Sequence, residues 1–230
     1  MYLVSGNLFA LDIPNMFFEI YQIGIIMNKE IFREYLVKQQ PQKVDELMVS
    51  FERFLEAIWE ENSKVNLISR KTLKAEYWTR HFLDSLLPIE LMDFSNKKVL
   101  DFGTGGGLPG IPLNLVFPGS KIYLLDSISK KINAVKNIIK ILDLSSCFTI
   151  VSRLEDLENK WFGSFDIIVC RSVKILPKYK KVLFKLIKNN GKIILYKSKL
   201  IDDIGQFKKC SIHDVSHPAI GERKIIEITK

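Results

Sequence analysis

Lys98-Val-Leu-Asp-Phe-Gly-Thr-Gly-Gly-Gly-Leu-Pro-Gly-Ile-Pro112 is the stretch on which the fold turns. A short β-rich run, Lys98 to Phe102, passes directly into a glycine turn. A segment over about 110–117 follows that reads as a helix. Strand, glycine turn and helix in that order form a cofactor loop in α/β folds. Glycines let the backbone approach a ligand closely, and a helix N-terminus offers unpaired N–H groups.

Downstream the same grammar repeats. Lys121 to Leu125, Phe148 to Val151, Phe165 to Cys170 and Lys192 to Tyr196 are short β-rich runs with little alternation. Helical stretches over about 129–142, 153–158 and 176–188 separate them. Strands that are apolar on both faces, with helices between them, imply a parallel sheet covered on both sides. The tail differs. Phe207 to Val215 and Arg223 to Thr229 are strand-like and are joined through His217-Pro-Ala-Ile-Gly221 with no helix between them. Strands joined by a hairpin are antiparallel, so the sheet is expected to end in an antiparallel pair.

Upstream of Lys98 the pattern is helical. Apolar residues at 44, 47, 48, 51, 54, 55, 58 and 59 make one wide stripe, which predicts a helix from Val44 to Trp59. Met48, Phe51, Phe54 and Trp59 are expected in its core face. Asn62 to Ser69 breaks the pattern, and a second helix is expected from about Leu73 to Leu87. The chain thus divides into a helical cap over 28–95 and an α/β domain over 96–230. Residues 1–27 stand apart: they contain no Lys or Arg and hold an apolar run from Met16 to Met27. Glu19 and Gln22 interrupt that run, which is too short to span a bilayer, and a secretory signal would need a basic start. Met27-Asn-Lys-Glu30 reads like a translation start, so 1–26 is either an upstream extension or an extra helix.

Composition narrows the partners. A net charge of +8 and a pI near 9.2 call for an acidic partner, nucleic acid or anionic membrane. Cys147, Cys170 and Cys210 are scattered and odd in number, which suits reduced thiols in a cytoplasmic protein. His81, His213 and His217 form no metal-ligand spacing, so no metal is expected.

The glycine loop admits two cofactor classes. From Gly105 the string matches GxGxxG, which keeps a dinucleotide-binding oxidoreductase open. Asp101 and the antiparallel tail favour S-adenosylmethionine: a carboxylate before the first glycine repels a diphosphate but would welcome a methionine ammonium. Asp126, which ends the second strand, can bind ribose hydroxyls in either class, or cap the helix that follows it.

Several strings then occur in one order: Asn62-Ser-Lys-Val-Asn-Leu-Ile68, His81-Phe-Leu-Asp-Ser85, the glycine loop through Pro112, and Leu124-Leu-Asp-Ser127 with Lys130-Lys131. Ser152-Arg-Leu-Glu155, Cys170-Arg171 and Gly221-Glu-Arg223 follow. Together they resemble the ribosomal RNA small subunit methyltransferase G family, also known as glucose-inhibited division protein B, over residues 28–230. The resemblance implies a class I Rossmann-like methyltransferase sheet and S-adenosylmethionine as cofactor. It implies 16S ribosomal RNA or the small ribosomal subunit as partner, and guanine N7 as the acceptor. A cytoplasmic monomer with no membrane contact is expected. By resemblance the cofactor pocket takes in Gly103, Leu108, Leu154, Glu155 and Arg171, to which Asp126 is added from its position. Where the family continues after Arg171 with small apolar residues, this chain has Ser172-Val-Lys174.

No Asn/Asp-Pro-Pro-aromatic string follows the fourth strand, which disfavours methylation of an exocyclic amine. Guanine N7 already presents a free lone pair, so its methylation needs orientation and no general base. Alternatives from other classes are a same-fold methyltransferase acting on another RNA or a small molecule, and a non-catalytic binding module. Between Lys97 and Lys230 the only arginines are Arg153, Arg171 and Arg223, all inside these strings. That distribution suggests a need for the planar fork of a guanidinium, although structural ion pairs would also account for it. Lys130, Arg153, Lys197 and Arg223 are the candidate RNA contacts, with Arg171 as a possible substrate-positioning residue.

Overall fold

The computed structural model describes residues 13–230, with side chains from Gly24 onward. Residues 1–12 of the N-terminal stretch lie outside the described part. From Ile13 the chain is one helix, α1 (Ile13–Gln39), so residues 13–27 run without a break into the cap. Helix α2 (Val44–Lys64) extends one turn beyond the stripe that predicts it. Its apolar face closes on α1 and on an irregular helical run over 74–90, which includes a π-type turn (Trp78–Leu83) and α3 (Asp84–Leu86). Phe32, Phe51, Phe54, Trp78 and Phe82 fill the centre of this cap, with ring centroids 4.8–6.1 Å apart. Met48, Phe51 and Phe54 are core as expected, but Trp59 is not: it is 39% exposed. Its ring leans edge-on against Tyr77 at the end of the stripe and carries Lys74 over its face.

The sheet has seven strands: β1 (Lys98–Phe102), β2 (Lys121–Asp126), β3 (Cys147–Val151), β4 (Phe165–Arg171), β5 (Ile187–Lys197), β6 (Cys210–Asp214) and β7 (Lys224–Ile228). Their order is β3-β2-β1-β4-β5-β7-β6. The first five are parallel, and β7 is antiparallel to both β5 and β6. The hairpin thus folds back, and its second strand, not its first, joins the parallel block. This is the class I Rossmann-like methyltransferase sheet, and no further βα unit follows β5 to make a dinucleotide fold.

Alternate residues of each strand enter different cores, as a period of two requires. Val99, Ile194 and Ile225 face the cap, α4 (Gly110–Val116) and α5 (Ser129–Leu142). Leu100, Ile193, Leu195 and Ile226 face α6 (Pro177–Leu186). The cap and one face of the sheet therefore share a single apolar cluster. One boundary differs from the sequence reading: β5 begins at Ile187, directly after α6, not at Lys192. Ile187 pairs with Phe165, the register slips, and pairing resumes at Ile167 with Lys192, so the expected helix over 176–188 gives way to the strand at Ile187.

The loop after α2 is shaped by one buried side chain. Asn62 Oδ1 accepts from the backbone N–H of Leu67 and Ile68, both at 2.9 Å, and its Nδ2 donates to Tyr77 Oη. Asn62→Ala would leave two buried N–H groups without acceptors. It should cost about 2–5 kcal/mol of unfolding free energy in urea melts. A loss below about 1 kcal/mol would mean that water or a local shift replaces the amide.

Candidate functional site

The site begins at the end of β1, the central strand, which pairs with β2 and β4. Asp101 is fully buried there. Its Oδ2 accepts from Thr104 Oγ1 at 2.6 Å and from the Gly110 N–H at 2.9 Å, which ties the glycine turn to the first turn of α4. A Cβ at Gly110 would stand 2.3 Å from Leu124 and 2.8 Å from this carboxylate, so only glycine permits the approach. Gly103 lies at φ +75, and a Cβ there would meet Val173 at 2.5 Å. Asp101 itself does not line the cavity. Its hydrogen bonds build the loop, and any favour it does a methionine ammonium acts through that loop. Burial pushes its pKa up to about 6, against the opposing hydrogen bonds from Thr104 and Gly110.

A cavity of about 600 Å³ opens at the carboxyl ends of β1, β2 and β4. Gly103, Leu108, Asp126, Leu154, Glu155 and Arg171 all line it. Asp126 Oδ2 accepts from the Gly105 N–H at 3.1 Å, and Oδ1 from the Ile128 N–H at 2.9 Å. It turns the chain three residues before α5 and caps no helix. A carboxylate has about four acceptor sites, so this one keeps capacity toward the cavity. Glu155 Oε1 accepts from Lys178 Nζ at 2.6 Å, and this contact holds its carboxyl below the usual range.

The arginines converge. Arg171 Nη1 donates to Asp84 Oδ2 at 2.9 Å, and Arg223 Nε donates to Asp84 Oδ1 at 2.6 Å. Sequence reading placed Asp84 inside a string without giving it a role, because its partners lie 87 and 139 residues away. The other candidate RNA contacts are dispersed. Arg153 is exposed at the cavity rim, and Lys130 is exposed on α5 beside Lys131, which does line the cavity. Lys197 is largely covered and paired with Asp203 at 2.5 Å. His81 reaches the cavity from the π-type turn, and both of its ring nitrogens are buried without a partner. Burial, with Arg171 and Arg80 nearby, drives its pKa down to about 3, so the imidazole is neutral. Leu67, Ile68, Ser172, Val173 and Tyr179 also line it; the first four stood in quoted stretches without a cavity role, and Tyr179 had no signal in the sequence. Among the described residues, no group of acids, cysteines and histidines is arranged to hold a metal, and no helix is long and apolar enough to cross a membrane.

Sheet order, glycine turn and strand-end acid together define the Rossmann-like class of methyltransferase folds. A solved S-adenosylmethionine-dependent methyltransferase from Aquifex aeolicus superposes with a TM-score of 0.53 at 14% identity, covering 67% of this chain and 93% of that one. The profile of the rRNA small subunit methyltransferase G family matches residues 48–224. A ribosomal RNA small subunit methyltransferase G from Christiangramia forsetii is 35% identical over 191 residues, 80% of this chain and 88% of the relative. One from Chlorobaculum tepidum is 40% identical over 158 residues, 68% and 70% of the two chains. The chain belongs to the rRNA small subunit methyltransferase G family.

Asp101 generates a pH test. Its native pKa stands above the unfolded value near 4, so folding takes up a proton between about pH 4 and 6. The stability attached to this group is full below about pH 4 and is lost as the pH rises through about 6. Asp101→Asn cannot ionise and should not share the loss. The Tm of the unaltered protein should therefore fall relative to the variant from about pH 4 to 6.5. A constant difference across that range would show that Asp101 folds without its pKa moving.

Proposed function

We propose that this protein transfers a methyl group from S-adenosylmethionine to guanine N7 in 16S ribosomal RNA. The observation that carries the reading is the single cavity in which Gly103, Leu108, Asp126, Leu154, Glu155 and Arg171 meet. Its volume suits a nucleoside-sized ligand. Backbone alone faces it at Gly103, Gly105 and Gly106, and Asp126 has acceptors in reserve for ribose hydroxyls. Leu154 offers an apolar surface to an adenine ring, and the second oxygen of Glu155 can accept from its amino group. When bound, the cofactor supplies a methyl carbon made electrophilic by its sulfonium.

This chain's part is to orient. Guanine N7 forms its bond to the methyl carbon as the carbon–sulfur bond breaks, and the base becomes cationic. No proton leaves N7, so no side chain need take one. His81, neutral and beside Arg171, is available to contact the base without titrating. Arg153 and Lys130 are placed for phosphates outside the cavity mouth, where contacts fix position without reading sequence. Lys197 is held by Asp203 and so is not free for direct contact. A cytoplasmic monomer acting on the RNA or the small subunit completes the reading.

Asp126→Ala should weaken S-adenosylmethionine binding by about 1.5–3 kcal/mol, or roughly ten- to a hundred-fold, in a protein that still melts cooperatively. Gly103→Val should do the same by driving Val173 into the cavity. Titration calorimetry decides both, and unchanged affinity in folded Asp126→Ala would move the nucleoside elsewhere.

The acceptor atom is tested with 16S RNA carrying 7-deazaguanine at the methylated position. It should bind nearly normally and take no methyl group, whereas methylation of that analogue would overturn the N7 assignment. With unaltered RNA at saturation, the single-turnover rate should stay within about threefold from roughly pH 6.5 to 8.5, where an unperturbed histidine would titrate. A limb in that range would reveal a general base.

A further inference from the structure

Asp84 has one carboxylate, and two guanidiniums rest on it. Each oxygen serves a different arginine: one from the end of β4, the other from the loop between β7 and β6. The Asp84 side chain is 9% exposed and that of Arg171 is 11% exposed. Two cations on one anion leave a unit of positive charge where burial strengthens its field. Another nearby carboxylate, Asp101, feels the charge of Arg171 but is fully buried and bonded to Thr104 and Gly110. Arg80 is paired with Glu76, Lys174 with Asp202 and Lys197 with Asp203, and His81 is neutral.

Donors remain as well as charge. Arg171 Nε is buried with no partner. Arg223 has Nε on Asp84 and Nη1 on the Glu222 carbonyl, and its Nη2 makes no hydrogen bond among the described residues. Three cavities meet here: the one of about 600 Å³ and two smaller ones of about 510 and 420 Å³. Arg171 and Ser172 line all three, and Asp84 and Arg223 line both smaller ones. Ser172 is held at φ +61, a strained backbone conformation for a residue with a side chain. A bridge that only joined the cap to the sheet would be complete with one arginine, forked onto both oxygens. Here the carboxylate is shared, and each arginine keeps N–H groups free.

We propose that Asp84 is a positioning residue that sets Arg171 and Arg223 as a two-arginine clamp for an RNA phosphodiester next to the acceptor guanine. This rests on the function proposed above. The phosphate carries the single negative charge that the junction lacks. The planar forks match its oxygens in pairs, as lysines would not. The clamp adjoins the larger cavity, so seating the phosphate brings the neighbouring base to the cofactor's edge.

The test uses the full chain and 16S RNA. Asp84→Asn should melt as a folded protein and bind S-adenosylmethionine within threefold of normal. It should bind RNA as well as or better than the unaltered protein, because a negative charge has gone, yet its kcat for methyl transfer should fall at least tenfold. A merely structural loss would lower RNA affinity and melting temperature together. Independently, Arg223→Ala should reduce the slope of log affinity for RNA against log salt by about 1. In the Asp84→Asn background, Arg223→Ala should cost less than threefold further in kcat. Normal kcat in Asp84→Asn, or an unchanged salt slope in Arg223→Ala, overturns the clamp. If the unaltered protein leaves the RNA unmethylated, the parent reading fails, while the salt slope still reports on the phosphate.

Discussion

Asp101 lies where the central strand ends, with no surface in water, and one of its oxygens holds two pieces of chain at once. Burying a carboxylate is costly, and the rise of its pKa to about 6 expresses that cost. What the burial secures is geometry. The Thr104 hydroxyl and the Gly110 N–H are drawn to the same atom, so the glycine turn and the start of α4 cannot move independently. Because the turn is fixed, the Gly105 N–H meets Asp126, and the ends of β1 and β2 close around one cavity. A longer side chain at Gly110 would push α4 away from β2, and the arrangement would be lost at its origin.

The second constraint is electrostatic and lies across the boundary between cap and sheet. The helical cap supplies Asp84, and the sheet supplies Arg171 and Arg223. Tyr196 reinforces the seam by donating to the Ser85 carbonyl at 2.8 Å, and within the cap Tyr35 donates to the Leu86 carbonyl at 3.1 Å. The irregular turns over 78–90 therefore do not hang on apolar packing alone, since polar contacts from several elements fix their carbonyls. This explains why a segment of mixed helical character can carry a functional carboxylate.

Local signals carried much of this into the sequence. The strands and the α2 stripe were legible because both faces of the sheet and one face of the helix are buried, which leaves apolar runs of the right period. Trp59 was misplaced because periodicity gives direction around a helix and says nothing about where the neighbouring element stops. The start of β5 was hidden because Lys188 to Gly191 are turn-forming residues inside a bulged strand. Five of the six cavity residues came from motif order and resemblance, and Asp126 from its position at the end of a strand. Asp84 was present in a quoted string, but its role depends on contacts across 87 and 139 residues that no spacing rule anticipates. The choice of arginine over lysine did leave a trace. Two of the three arginines after Lys97 share that one carboxylate, each through a single nitrogen, so their forks are only partly used there.

These charges bear on the chemistry through the product. Methylation at N7 turns a neutral base into a cation, so positive charge grows on the guanine as the bond forms. An arginine beside that base would oppose the step if it stood alone, most of all in a site shielded from water. With a phosphodiester on the proposed clamp, two guanidiniums would face one carboxylate and one phosphate, and the charges of that cluster would balance. The neutral imidazole of His81 adds nothing to it. A protonated histidine or an unbalanced arginine pair would raise the barrier and hold the reactive base off. In the proposed clamp, the groups that would orient the nucleotide would also offset the charge of its surroundings. A site without a general base has that requirement in place of proton transfer.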